Sequence, residues 1–246
     1  MVTQKHSGST ALTQNVGLAL QALYRVADRP GHLPGLAVFY GPSGYGKSFA
    51  AGHAAGETTA FYVEARNSWS RKAFVEAVAN EMGLPTHRLT LPQIVDKVAE
   101  QLVVTGRPLI VDEVDQLVDK GQNYVEILRD LYEASGAPIL LIGEEMLPQK
   151  LQRYERFHGR ILDFFPAQPC SLDDALGLRA LYCVRAQVGD DLLAAIVAAS
   201  KGSVRRVCVN LERAQEFAEG HGLDTVTLGD WGSRDFFTGR PPARRV

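Results

Sequence analysis

The chain has 246 residues, 46% hydrophobic and 22% charged, which is typical of one large or two small globular domains. Its formal net charge of −2 gives no global signal for nucleic acid, so any DNA contact requires a local basic patch. No apolar stretch approaches the roughly 20 residues that span a bilayer, and residues 1–10 lack the apolar region of a signal peptide. The three cysteines, which lack metal-site spacing, are interpreted as reduced thiols of a cytoplasmic protein: Cys170, Cys183 and Cys208.

The first two thirds of the chain alternate predicted helices and strands. After a flexible arm at residues 1–9, a helix is predicted from Thr10, its cap, to about Asp28. Its apolar face comprises Leu12, Val16, Leu20 and Leu23. Strands are predicted at 36–40, 60–64, 108–111, 138–142 and 162–165, and helices at 71–82, 91–104 and 123–135. This alternation predicts a parallel sheet covered by helices on both faces.

The pattern changes from Ser171 onward, where only helices are predicted, at 171–186, 190–200, 204–219 and near Leu228. We therefore predict an α/β nucleotide-binding domain over residues 10–168, followed by a small all-helical lid over residues 169–238. Residues 239–246 carry two prolines and three arginines and are predicted to form a basic flexible tail.

A glycine-rich segment, here called the phosphate loop, follows the strand predicted at 36–40. It fits the pattern G-x-x-x-x-G-K-S through Gly41, Pro42, Ser43, Gly44, Tyr45, Gly46, Lys47 and Ser48. Its glycines let backbone N–H groups point at phosphates, and the helix that follows, with Phe49 near its start, adds its N-terminus to the cradle. We expect Lys47 to reach the β- and γ-phosphates of ATP and the Ser48 hydroxyl to ligate Mg²⁺.

Two acidic residues close the apolar strand at 109–113. Asp112 would hold Mg²⁺ through water, and Glu113 would orient and deprotonate the attacking water. The alternative is an ordinary solvated acidic turn, but the phosphate loop about 65 residues earlier favours ATP hydrolysis. Asp115 is interpreted as a turn or cap residue.

Arginines cluster after the fourth predicted strand and in the lid. One of Arg153, Arg156 and Arg160 would contact the γ-phosphate held by a neighbouring subunit. The alternative is a solvated basic helix face with internal ion pairs. The same two interpretations apply to Arg205, at the start of a lid helix.

Four segments, in chain order, resemble those of AAA+ ATPases: the phosphate loop, residues 109–113, Arg156–Phe157 and residues 202–205. The resemblance covers residues 10–219. Within that superfamily the chain is similar to the transposition target-selection ATPases, which are the B proteins of Mu-like transposable phages and their transposon relatives. Residues 40–48, 70–85 and 140–143 carry this closer similarity.

The resemblance implies a P-loop AAA+ fold and assigns roles to two arginines. Arg156 matches the arginine finger, with Arg153 and Arg160 as alternatives, and Arg205 matches the lid arginine called sensor 2. Sensor 1 stays unassigned, because this chain has Gly143 and Glu144 where such relatives usually carry a neutral polar residue.

The resemblance also implies a helical filament around duplex DNA, with the loops after the second strand facing the duplex. The candidate DNA contacts are Arg66, Trp69, Arg71, Lys72, His87 and Arg88. Such basic side chains give salt-sensitive affinity without sequence specificity. The alternative is a capped helix with solvated charges and Trp69 packed on the domain surface. The tail arginines Arg244 and Arg245 are a second candidate.

The predicted function is an ATP- and Mg²⁺-dependent ATPase that oligomerises on double-stranded DNA as a filament or ring. It would deliver target DNA to a transposase, activate that transposase and release DNA on hydrolysis, in the cytoplasm and without a membrane. The alternative is a helicase-loader-like or secretion-associated ATPase that acts on a protein partner. The acidic pair and the helical lid argue against a small-molecule kinase.

Overall fold

The computed structural model describes residues 11–240, which divide into two compact units. The larger unit comprises Asn15–Ser43 and Lys47–Ala167, and the smaller comprises the residues up to Gln14, Gly44–Gly46 and the residues from Gln168 onward. The predicted arm, the Thr10 cap and the tail arginines Arg244 and Arg245 lie outside the described residues. Within 11–240, no helix has the length and apolar character needed to cross a membrane.

The larger unit is a helix-flanked sheet. Its strands are β1 (Leu36–Tyr40), β2 (Phe61–Glu64), β3 (Leu109–Asp112), β4 (Ile139–Gly143) and β5 (Ile161–Pro166). Its helices are α1 (Gln14–Ala27), α2 (Lys47–Thr58), α3 (Arg71–Glu81), α4 (Leu91–Thr105), α5 (Asp115–Val118), α6 (Gln122–Ser135), α7 (Leu147–Gln152) and α8 (Glu155–His158).

All strand pairs of the five-stranded sheet are parallel, in the order β2-β3-β4-β1-β5. Strand β4 is buried along its whole length, because both faces of the sheet are covered by apolar side chains. Tyr40 at the end of β1 lies opposite Gly143 at the end of β4. The carboxyl ends of β1, β4 and β3 are therefore neighbours, with β4 in the middle.

The smaller unit contains the lid, defined here as residues 168–240. Its elements are α9 (Leu172–Tyr182), β6 (Gln187–Val188), α10 (Asp190–Ser200), α11 (Val204–His221), β7 (Thr225–Val226) and α12 (Leu228–Trp231). Its core is built by buried side chains from α9, α10 and α11, among them Leu178, Ile196 and Leu211. The predicted fold class, a parallel α/β sheet followed by a helical region, is confirmed.

Two details differ from the sequence prediction. Helix α1 begins at Gln14, whose N–H donates to Asp174 Oδ1 at 2.7 Å, so Leu12 precedes the helix and is 75% exposed instead of lying on its apolar face. The lid is not wholly helical, because the helix predicted at 171–186 ends at Tyr182 and Gln187–Val188 pair with Thr225–Val226.

Candidate nucleotide-binding site

The phosphate loop connects β1 to α2, which begins at Lys47. Gly44 and Gly46 have φ values of +88° and +83°, a left-handed conformation that favours glycine. Lys47 Nζ donates to the carbonyl oxygens of Gly41 at 2.7 Å and Pro42 at 3.0 Å. Ser48 and Phe49 are exposed in the first turn of α2, where a phosphate oxygen or a metal ion has access to the Ser48 hydroxyl.

Carboxylates dominate the electrostatic surroundings of Lys47. Burial lowers the pKa of Lys47, and the charges of four carboxylates oppose that shift: Glu113, Asp112, Glu144 and Asp115. No arginine is among these four largest electrostatic influences. The larger unit thus surrounds Lys47 with several anions at this end of the sheet.

Asp112, the predicted Mg²⁺ residue, is only 1% exposed and is held on both oxygens. Its Oδ1 accepts the Glu113 N–H at 2.8 Å, and its Oδ2 accepts the Tyr62 hydroxyl at 2.7 Å. Burial, followed by the charge of Asp112, raises the pKa of Tyr62, so the phenol stays protonated and remains a donor. Tyr62 could not be identified as a site residue from the sequence, because nothing in the β2 pattern distinguishes it from a packing residue.

Glu113, the predicted general base, has a φ of +53°, which is rare for a residue with a side chain and is found at functional sites. Burial raises the pKa of Glu113 and the charge of Asp112 raises it further, whereas Lys47 opposes the shift. A carboxylate with raised proton affinity is better suited to accept a proton from water.

Asp115 differs from its sequence interpretation as a turn or cap residue. It is 3% exposed, and its Oδ2 accepts the N–H of Glu144, the residue after β4, at 2.7 Å. Its Oδ1 accepts a hydrogen bond from Lys150 Nζ at 2.9 Å. Two sequence features are consistent with this contact: the D-E-x-D spacing of residues 112–115 and the glycine at 143. Neither feature predicts the contact without the other.

The three candidate finger arginines have different surroundings. Arg160 pairs with Glu133 at 2.7 Å, whereas Arg153 and Arg156 are exposed and form no ion pair with any residue in 11–240. A surface cleft of about 410 Å³, here called the arginine cleft, is lined by Arg129, Glu133, Arg156 and Arg160. The internal ion pair considered as the alternative therefore applies to Arg160.

Arg205 lies in the first turn of α11, whose cap is Ser203. The Arg205 N–H donates to the Gly44 carbonyl at 3.2 Å, and a Cβ at Gly44 would lie 2.6 Å from Ser203 Oγ. The Arg205 side chain is exposed and has no ion-pair partner in the part of the chain that the structure describes. The glycine turn and the start of α11 thus belong to one compact unit.

The loop after β2 has the features of the alternative interpretation, in which a capped helix carries solvated charges and Trp69 packs on the domain surface. Trp69 packs against the core of the larger unit, and the Arg66 guanidinium lies 5.5 Å from the centre of its ring. Lys120 Nζ donates to the Trp69 carbonyl at 2.6 Å, and Ser70 caps α3 by accepting the Ala73 N–H. Two of the six candidate DNA contacts therefore pack on each other within the protein.

The remaining four candidate DNA contacts are exposed. Lys72 pairs weakly with Glu76 at 3.6 Å, whereas Arg71 has no ion-pair partner within residues 11–240. His87 and Arg88 follow α3, whose 11 residues span about 16 Å. Arg71 and Lys72 lie in the first turn of α3, whereas His87 and Arg88 come after its C-terminal end.

The family model for the AAA domain matches residues 31–151. No curated protein matches the chain. Among solved structures, Cdc6p from Pyrobaculum aerophilum has a TM-score of 0.66, with 16% identity over 91% of this chain and 66% of that chain. The Orc1 protein of Aeropyrum pernix in complex with DNA has a TM-score of 0.59, with 19% identity over 87% and 63%. Domain III of the replication initiation protein DnaA from Thermotoga maritima has a TM-score of 0.59, with 17% identity over 90% and 91%.

The solved structures share one fold with this chain at low sequence identity, and the chain spans slightly less than two thirds of the Cdc6p and Orc1 chains. The AAA domain match contains the phosphate loop and the acidic pair, the two segments that approach each other through β1, β4 and β3. Residues 31–151 thus match the model of the AAA domain, and the solved structures share the fold of this chain.

Proposed function

We propose that this protein is a Mg²⁺-dependent ATPase whose ATP state controls its assembly on duplex DNA. The main support is the contrast between the surroundings of Lys47 and those of Arg156. The strongest charges acting on Lys47 are carboxylates, while Arg156 is exposed and has no ion pair with any described residue. Since charge on the transferring phosphoryl group requires cations, a neighbour's Arg156 would complete the site.

The protein residues fit a magnesium ion that arrives with the nucleotide. In residues 11–240 no group of three or more His, Cys, Asp or Glu side chains is arranged to hold a metal ion. Mg²⁺ in such sites takes only one or two protein ligands in addition to phosphate oxygens and water. Ser48 and Asp112 are hard oxygen donors of that kind, and bound Mg²⁺ would neutralise charge on the β- and γ-phosphates.

DNA binding is supported by the fold shared with an Orc1 protein whose structure contains DNA, and by exposed basic residues at both ends of α3. The local similarity of residues 40–48, 70–85 and 140–143 to transposition ATPases supports a narrower role. In that role the ATP-bound oligomer marks target DNA, activates a transposase, and dissociates after hydrolysis.

The nucleotide switch is tested by fluorescence anisotropy with a labelled duplex of arbitrary sequence. With ATP or a slowly hydrolysed analogue we expect binding that weakens steeply with salt, and with ADP we expect none. Glu113→Gln should retain ATP and prolong the DNA-bound state. Equal binding in both nucleotides, or no binding at low salt, contradicts the switch.

The shared site is tested by mixing two inactive variants. Lys47→Ala removes the phosphate-binding lysine and Arg156→Ala removes the finger, so each should have little ATPase activity alone. In a mixed oligomer some interfaces combine an intact loop with an intact arginine, and we expect part of the activity to return. Mixing Lys47→Ala with Arg153→Ala in the same way tests Arg153, the alternative finger. No recovery on mixing, with both variants still oligomeric, argues against a site shared between subunits.

The DNA contact is tested at Arg71, which is exposed and has no ion-pair partner within residues 11–240. Arg71→Ala should weaken DNA binding equally for all sequences and reduce the slope of log affinity against log salt by about 1. Lys97→Ala, at an exposed lysine of α4, is the matched control. Equal effects of the two variants would show that only overall charge matters.

A protein partner is the second candidate function, and the packing of Trp69 against the core favours it, because this removes the main aromatic group from the proposed DNA surface. If it holds, the ATP-bound protein should bind no duplex at low salt while it still hydrolyses ATP.

A further inference from the structure

Asp115 and Lys150 form an ion pair, and neither residue is among those proposed to bind the nucleotide. The Asp115 side chain is 4% exposed and that of Lys150 is 23% exposed, and Nζ lies 2.9 Å from Oδ1. Lys150 also pairs at 2.9 Å with Asp119, whose side chain is 60% exposed. One lysine therefore holds both ends of α5, which begins two residues after Glu113.

The other oxygen of Asp115 occupies a space that opens only because residue 143 is glycine. A Cβ at Gly143 would lie 2.1 Å from Asp115 Oδ2, closer than any real contact. The same oxygen accepts the Glu144 N–H at 2.7 Å. Gly143 in turn accepts the N–H of Gly41, the first residue of the phosphate loop, at 3.4 Å.

These contacts connect three neighbouring strand ends. The phosphate loop after β1 bonds to the end of β4, the end of β4 bonds to Asp115, and Asp115 follows Glu113 at the end of β3. A further bond joins the Tyr154 hydroxyl to the Val118 carbonyl at 3.2 Å, so α5 also contacts the residue that precedes α8. Lys150 lies in α7 and Arg156 in α8.

We propose that the Asp115–Lys150 pair is a positioning device. It holds Glu113 in a fixed position relative to the phosphate loop, and it connects this position through α7 to α8, which carries Arg156. Only the connection to Arg156 rests on the proposed function. The expected effect on hydrolysis requires only that the protein is an ATPase.

The test measures kcat, KM and nucleotide affinity of full-length Asp115→Asn and Lys150→Met proteins. Displacing a catalytic group by about 1 Å costs up to about a hundredfold in rate, so we expect kcat to fall about 10- to 100-fold. KM and the Kd for a fluorescent ATP analogue should stay within about twofold, because a positioning residue acts on turnover and not on ground-state binding. Lys150→Arg, which keeps the ion pair, should recover most of the activity.

Asp119→Asn is the matched control, because it removes the exposed partner of Lys150 and leaves Asp115 in place. We expect its kcat to fall by less than about twofold. If Asp115→Asn and Lys150→Met lower nucleotide affinity as much as kcat, or leave kcat unchanged, the proposal is wrong. An inactive wild-type protein would instead refute ATP hydrolysis, and failed recovery in the mixing of Lys47→Ala with Arg156→Ala would refute the shared site alone.

Discussion

The phosphate loop after β1 and the acidic turn at residues 112–115 after β3 are built in different ways. Lys47 bonds to carbonyl oxygens five and six residues away in the chain. Asp112 and Asp115 depend on partners 50, 29 and 35 residues away, namely Tyr62, Glu144 and Lys150. The contacts of Lys47 are thus local in sequence, whereas those of the two aspartates depend on the tertiary fold.

The largest effect is expected from a substitution in the phosphate loop. Lys47→Ala should lower ATP turnover by about 10²–10³-fold and weaken ATP binding as well, because it removes the cation of the phosphate cradle. Glu113→Gln should lose turnover but keep ATP bound. Filter binding of radiolabelled ATP beside a turnover assay distinguishes the two. The contrast between binding and hydrolysis fails if Lys47→Ala binds ATP like the wild type.

The next largest effect is expected from a substitution at Gly143, which packs against the Asp115 carboxylate. Gly143→Ala should lower kcat about 10- to 100-fold and the free energy of unfolding by about 1–3 kcal/mol, because its Cβ displaces the Asp115 carboxylate. Steady-state kinetics and urea unfolding measure the two quantities. Gly52→Ala in α2 is the control, since a Cβ there meets nothing within 4 Å and should slightly stabilise the helix. Similar losses at both positions would show that any added methyl group is harmful.

A smaller effect is expected at Asp112. Tyr62→Phe removes the donor to Asp112 Oδ2 while retaining the ring. The Mg²⁺ concentration for half-maximal turnover should rise about tenfold, because a partner that orients a metal ligand is lost. The free energy of unfolding should fall by about 1 kcal/mol. A magnesium titration at saturating ATP checks the first value, and an unchanged midpoint would remove Tyr62 from this role.

The smallest effect is expected in the pH dependence of folding stability when Glu113 is replaced. The pKa of Glu113 is raised in the folded protein, so the folded state loses stability as pH rises from the unfolded pKa through the folded one. Glu113→Gln removes that cost. Thermal melts should therefore show the variant more stable than the wild type at neutral pH, with the difference shrinking below the ordinary glutamate pKa of about 4.3. A constant difference across pH would contradict the assignment.

The sequence predicted what depends on local pattern. Apolar runs located β1, β3 and β4 to within a residue or two, and glycine spacing located the phosphate loop. Tyr62 and Asp115 were not predicted, because their roles arise only when strands distant in sequence become neighbours. Leu12 was misplaced because the donor at the true start of α1 is satisfied by Asp174, 160 residues away. The DNA contacts, the arginine finger and sensor 2 stay predictions.

Gly143 and Asp115 share a single volume at the end of the sheet. A side chain at one of these positions excludes a long side chain at the other, so the two should not vary independently among related sequences. Relatives with serine, threonine or asparagine at 143 should carry a small residue at 115, and those with glycine at 143 should keep an acid at 115. The residues at 115 and 143 should then divide related sequences into two groups that can be recognised from sequence alone. Exchanging both residues together should be tolerated better than exchanging either one.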